Sequence, residues 1–331
     1  MSKSGMVLGV PLLAILVVAA SLAVARDGVP RSWKKAWPKT DFSQHSVPLD
    51  EISGGGPPKD GIPAIDNPGF APLAKVRGLS DTEPVISVKI NGDARAYPLR
   101  VLIWHEIAND VVGGVPVTVS YCPLCDTAIV FDRRAGGRVL DFGTTGKLRN
   151  SDLVMYDRQT ESWWQQFVGQ AIVGELLGTE LKMIPARIES VALYRAREPD
   201  GLILLPPGRD RPYGQNPYAG YDRQRRPIRA FYKGDFPKGI PPMARVVKVG
   251  HHAWPLKRLR KERRIEFGNL VLTWQPGQNS ALDNRLIIRG RDIGNVVVQR
   301  QTDQGLVDAV YDVTFAFAFH AFYPDGTLHS R

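Results

Sequence analysis

Both cysteines of this 331-residue chain stand in one short stretch, Tyr-Cys-Pro-Leu-Cys-Asp, as Cys122 and Cys125. Thiols at this spacing serve as a metal clip, a redox dithiol or a plain disulfide. In a thioredoxin-type dithiol the first cysteine opens a helix, whose N-terminal dipole lowers the thiol pKa. Here Ala128, Ile129, Val130 and Phe131 follow the second cysteine. These are mostly β-branched or aromatic residues, which favour a strand. A Cys-Pro-x-Cys turn between strands is the knuckle of thiolate metal sites, aiming both sulfurs and its own amides at one ion. A closed zinc site needs four ligands, and the chain has no second cysteine pair. Histidine is therefore expected to complete the set, with His105 nearest in sequence and His320 the second candidate. Two thiolates and an imidazole suit copper(I), or zinc with one open position. Two alternatives stay open. One is a disulfide, whose two-residue loop adds little chain-entropy stabilisation. The other is a thiol–disulfide oxidoreductase with Cys122 as nucleophile.

A second constellation lies in "NSDLVMYDRQTESWWQQF", Asn150 to Phe167. Asp157, Arg158 and Thr160 cluster in a turn before Trp163 and Trp164. They either line a polar pocket, with Tyr121, Asp126 and His320 as its other members, or form a hydrogen-bonded structural turn capped by core aromatics. Three enzyme signatures are excluded. "GTTGK" (Gly143 to Lys147) lacks the glycine spacing of a phosphate loop, and "HEIAND" has Asn109 where a zinc protease needs its second histidine. No Gly-x-Ser-x-Gly elbow occurs.

The elements around these residues read as mainly β, a β-rich α+β chain. The 26 prolines and 32 glycines disfavour a helical bundle. "VISVKINGDARAYPL" alternates on both sides of Asn91-Gly92, a type I′ hairpin signal. A short helix is expected over Leu99 to Asp110. Strands are expected on both sides of the cysteines, and a closing strand presents Phe315, Phe317 and Phe319 on one face. A weak internal repeat relates two halves. Val88-Lys89-Ile90 and Tyr97-Pro98-Leu99 recur as Val247-Lys248-Val249 and Trp254-Pro255-Leu256. "VSYCPLCDTA" (Val119 to Ala128) faces "LTWQPGQNSA" (Leu272 to Ala281), so Cys122 and Cys125 meet Gln275 and Gln278. The fold expected is thus two related β units in a pseudo-duplicated body that follows an N-terminal apolar helix. The divisions are 1–25, a signal peptide or membrane anchor; 26–80, a Pro/Gly-rich extended tether; 81–186, the first unit with the cysteine turn; 187–244, an Arg/Pro-rich connection; and 245–331, a second, degenerate unit.

Met6 to Ala25 is an almost unbroken apolar run between Lys3 and Arg26. It is long enough to span a bilayer, and Ala23-Val24-Ala25 fits a signal-peptidase site. Export is expected, to a periplasmic or extracellular face, with the segment cleaved or kept as an anchor. The net charge of +10 is concentrated: residues 187–264 hold 19 Lys+Arg against 7 Asp+Glu. The remaining 24 basic and 26 acidic residues nearly cancel. The segment 187–264 is expected to be largely irregular and exposed, and suited to an anionic membrane surface or an acidic protein partner. As a docking surface it would fit a scaffold subunit of a membrane complex. Nucleic acid is not an expected partner of an exported chain.

"VKINGDARAYPL", "WHEIANDVVGGVPVTVSYCPLC", "RNSDLVMYDRQTESWWQQF" and "FAFHAFYPDG" together resemble the exported prokaryotic proteins grouped as domain-of-unknown-function family 3179. The resemblance runs from about Pro84 to about Ile184, and thinly through the C-terminal third. It implies the unit boundaries and the importance of the Tyr-Cys-Pro-Leu-Cys turn, and no particular activity.

Overall fold

The computed structural model describes residues 28–208 and 210–330. The expected N-terminal apolar helix lies outside the described residues. Among those described, no helix is long and apolar enough to cross a membrane. The chain is mainly β, with five small sheets in a propeller-like ring and a two-stranded ribbon beside them.

The repeat seen in the sequence is a repeat of topology. The first unit runs through strands Pro84–Ile90 and Asp93–Pro98, helix Leu99–His105, and strands Ile107–Val112, Val115–Cys122 and Thr127–Asp132. The second runs through strands Arg245–Val249 and His252–Pro255, helix Leu256–Glu262, and strands Arg264–Phe267, Leu270–Gln275 and Asn295–Thr302. Each unit then closes by strand, helix, strand: Arg187–Ser190, Val191–Arg197 and Leu202–Leu204 in the first, Asp312–Phe315, Ala316–Phe322 and Thr327–Leu328 in the second. In both, the first closing strand adds antiparallel to the opening strand. The last adds parallel to the second strand.

Local chemistry explains the shared turns. Asn91 and Gly92 both take positive φ (49° and 86°), the requirement of the type I′ turn that joins the first two strands. The helix expected over Leu99 to Asp110 stops at His105, because Glu106 turns left-handed (φ 59°) and returns its N–H to Leu102 O. Ile107, Val111 and Val112 then favour the strand they occupy. Arg263 ends the second helix in the same way, at φ 66° with its N–H on Leu259 O. The Phe-Ala ladder also differs from expectation. Its strand ends at Phe315, and Ala316–Phe322 is helical, since alanine is the best helix former and no β-branched residue lies between Thr314 and Thr327.

The segment expected as a free tether is docked. Trp33, Trp37 and Phe42 pack around Trp163 at centroid distances of 4.9–5.2 Å. Ile52–Gly54 pairs with Phe142–Arg149. That pairing places it in a sheet inserted into the first unit, with Asp152–Asp157, Trp163–Gln165 and Gln170–Val173. The basic segment divides. Residues 187–204 complete the first unit's sheet, while 205–244 carries only one 3-10 turn, at Tyr221–Arg223. This irregular part is still anchored, with Tyr221, Asp222 and Tyr232 buried. One large core runs from Ile86 and Tyr121 to Phe315 and Phe317, so it is shared by both units.

Candidate metal centre

The cysteine turn joins Val115–Cys122 to Thr127–Asp132, with Cys122 paired to Thr127 in the ladder. Asp126 closes the turn at φ 57°. Cys125 is therefore followed by a strand, and the pair forms the strand–turn–strand knuckle expected from the sequence. Facing it is a hairpin of the inserted sheet, in which Arg149 pairs with Asp152 across a two-residue turn. Asn150 and Ser151 take φ 52° and 65°, left-handed values that cost a non-glycine residue roughly 1–2 kcal/mol. The strained turn presents its carbonyls to the thiols: Cys122 Sγ stands 3.7 Å from Ser151 O, and Cys125 Sγ 3.9 Å from Asn150 O.

The third member of the site is the residue after this turn. Donor atoms of Cys122, Cys125 and Asp152 all lie within 4.8 Å of one another, the one such grouping of histidine, cysteine and acidic side chains among the described residues. All three are buried, and the cysteines are free thiols. The Asp152 Oδ2 atom accepts Gln165 Nε2–H (2.7 Å) and the Phe167 N–H (2.9 Å). Its Oδ1 is buried with no hydrogen-bond partner.

Burial pushes both thiols up, Cys125 further than Cys122. Hydrogen bonds from the Cys125 side chain and N–H partly offset this at Cys122. Burial also pushes Asp152 up to about 7, against hydrogen bonds from Gln165, Phe167 N–H, the Cys122 thiol and Leu153 N–H. Glu106, almost fully buried on the helix-ending turn, is pushed up to about 8 by burial and then by Asp152. Without a cation the site is therefore a nest of neutral thiols and half-neutral acids. A cation would reverse this by stabilising every charged form at once. A nucleophilic thiol needs the opposite, a lowered pKa and some exposure.

The other residues singled out from sequence fall elsewhere. His105 is not a ligand in this arrangement: its Nδ1 pairs with Pro63 O and its Nε2 with the Tyr213 hydroxyl, both at 2.8 Å. His320 is half-buried on the last helix and does not join the cluster. Tyr121 and Asp126 support the turn from behind, the tyrosine hydroxyl donating to Asp126 Oδ1 (3.1 Å). Asp157 accepts from Thr160 N–H and Oγ1–H and from Trp164 Nε1–H at 2.7–2.9 Å, a saturated structural turn. Arg158 pairs with Asp66 at 2.6 Å.

Sequence reasoning missed Asp152 and passed over Glu106. The signal was there in weak form: an aspartate opening the otherwise apolar strand Asp-Leu-Val-Met-Tyr, in a position that a hairpin must bury. Nothing local said which turn it would face.

No curated protein and no solved structure matches the chain. The family described as "Protein of unknown function (DUF3179)" matches it over residues 59–326, a span that holds the first unit, the second up to its closing strand, and Cys122, Cys125, Asp152 and Glu106. The resemblance read from the cysteine turn thus extends over most of the chain, which belongs to the DUF3179 family.

Proposed function

We propose that the protein is an exported metal-binding protein in an accessory or carrier role, holding a zinc-class divalent ion on Cys122, Cys125 and Asp152. One observation carries this reading: a buried carboxylate with a bare oxygen stands beside two buried thiols. Burying an acid with one oxygen left bare is costly, and the cost has a use if a cation completes the group. Donors sharing one tetrahedral ion at about 2.0–2.3 Å stand roughly 3.3–3.8 Å apart, so the cluster, with donors within 4.8 Å of one another, needs at most roughly 1.0–1.5 Å of closure. The oxygen donor shifts the preference from copper(I), which favours thiolates alone, toward zinc. A water or a partner's ligand would fill the fourth position. The export part of the reading rests on the apolar run Met6 to Ala25.

Metal analysis of the full chain, purified reduced from its native location, is the test. About one zinc per chain is expected. Cys122→Ser and Cys125→Ser should abolish binding, while His105→Ala should leave the stoichiometry unchanged. Reduced protein that takes up neither zinc nor copper would sink the metal reading in favour of the disulfide.

A further inference from the structure

We infer that the second unit carries a docking groove for an acidic peptide segment of a partner protein. The two repeated helices are the starting point. In the first unit, Leu99–His105 buries five of its seven residues. It is roofed by the irregular segment: Trp104 Nε1–H donates to Gln215 O (3.1 Å), and His105 meets Tyr213. At the same place in the second unit, Leu256–Glu262 buries only Leu256 and Leu259. Positions held by Ile103 and Trp104 in one helix are Arg260 and Lys261 in the other. The same element has exchanged a covered apolar face for an open basic one.

That face forms one wall of a groove of about 1160 Å³. Its charges do not cancel. Glu262 is engaged by Arg258. Asp292 accepts the N–H groups of Gly277, Gln278 and Gly294. Arg245 and Arg291 are committed to Asp222. Lys257, Arg260 and Arg263 remain, exposed and in no salt bridge among the described residues, and the exposed Lys261 meets only the Glu262 carboxylate that Arg258 already holds. Arg260 and Arg263 lie over the Trp274 ring, at 5.5 and 4.3 Å from its centroid. Stacking holds planar guanidiniums ready for bidentate carboxylates. Ile240, Met243 and Ile293 add apolar side chains to the lining.

The shape selects the occupant. The groove exceeds the roughly 300–1,000 Å³ of small-molecule pockets, and its lining sets exposed basic side chains beside apolar ones. An extended peptide that alternates acidic and apolar side chains satisfies both.

The probe is a fluorescein-labelled peptide of alternating glutamate and leucine, titrated by anisotropy with the full chain in nonionic detergent. Saturable binding is expected, weakening roughly tenfold from low to physiological salt. Lys257→Glu with Lys261→Glu should weaken it at least tenfold. The charge-matched control Lys75→Glu with Lys182→Glu, both exposed and remote from the groove, should not. Equal effects of the two pairs, or no binding, would overturn the proposal. So would phosphatidylglycerol vesicles that displace the peptide and depend on Lys257 and Lys261, which would give the groove to a membrane. A metal-free chain that still binds peptide keeps this result separate from the metal reading.

Discussion

At the residue scale, Asp152 and Glu106 make the site a proton-linked device. Both acids have folded pKa values raised above their ordinary ones, to about 7 and about 8. The folded protein therefore binds more protons than the unfolded chain as pH climbs past the usual carboxylate range. Stability from these two groups is complete below about pH 4 and is lost as pH rises through 7 and 8. His105, lowered by burial, acts in the opposite sense, but only below about pH 6.5. The informative window is thus roughly pH 6.5 to 8. Thermal melts of the metal-free protein should show the midpoint falling across it, with a shallower fall in Asp152→Asn/Glu106→Gln. Metal bound to Asp152 should flatten the wild-type profile as well, because proton and metal compete for one carboxylate. Identical slopes in the wild type and the double variant would show that these acids titrate normally.

At the element scale, the cysteine turn is held from outside its own sheet. Cys125 O accepts from Thr314 Oγ1–H (2.8 Å) and the Phe315 N–H (3.1 Å), and Leu124 O accepts from the Tyr221 hydroxyl (3.0 Å). The fully buried Arg245 donates to Asp126 at 2.6 Å, to Asp222 at 2.9 Å and to Ser280 at 2.9 Å. It thereby ties the turn, the irregular segment and the second unit together. Arg245→Met keeps much of the volume but takes the guanidinium from buried Asp126 and leaves buried Asp222 to Arg291 and Ser280. That should cost about 3–5 kcal/mol in urea unfolding. It should also speed labelling of Cys122 and Cys125 by a thiol reagent in the folded state, because the turn loses its clamp. A neutral substitution with unchanged labelling would mean the network is incidental to the site.

At the scale of the whole molecule, the two units are not independent domains. Asn279 N–H donates to Thr82 O (2.8 Å), Ser190 N–H to Asn295 Oδ1 (2.7 Å), and Ala128 N–H to Asp312 Oδ1 (3.1 Å). Arg187 pairs with Asp308 at 2.5 Å, and the largest core crosses the boundary. Unfolding should accordingly be one transition. Far-UV dichroism and fluorescence should share a midpoint, although Trp163 and Trp164 report on the first unit and Trp254 and Trp274 on the second. Two resolved midpoints would make each unit a separate folding body.

Much of this architecture was legible in the chain itself. The type I′ hairpin, the strand–turn–strand setting of the cysteines and the two-unit repeat all rest on local chemistry: positive-φ turn residues, β-branched runs, and paired segments in the same order. What failed was the continuation of single elements. The helix after Pro98 is shorter than its pattern and the Phe-Ala ladder is helical beyond Phe315, because a left-handed residue at Glu106 and the docking of Ala316–Phe322 are not written in periodicity. The prolines of segment 26–80 point to an extended tether, since they describe backbone stiffness and not what Trp33 and Trp37 bury against. The ligand set was the least legible. His105 was the nearest imidazole along the chain, yet Asp152, brought in by another sheet, stands beside the sulfurs. Sequence alone determined the thiol pair and its turn, since both depend on residues a few positions apart. Only tertiary structure decided which carboxylate stands beside the thiols, because sheet packing chooses which distant acid shares their low-dielectric space.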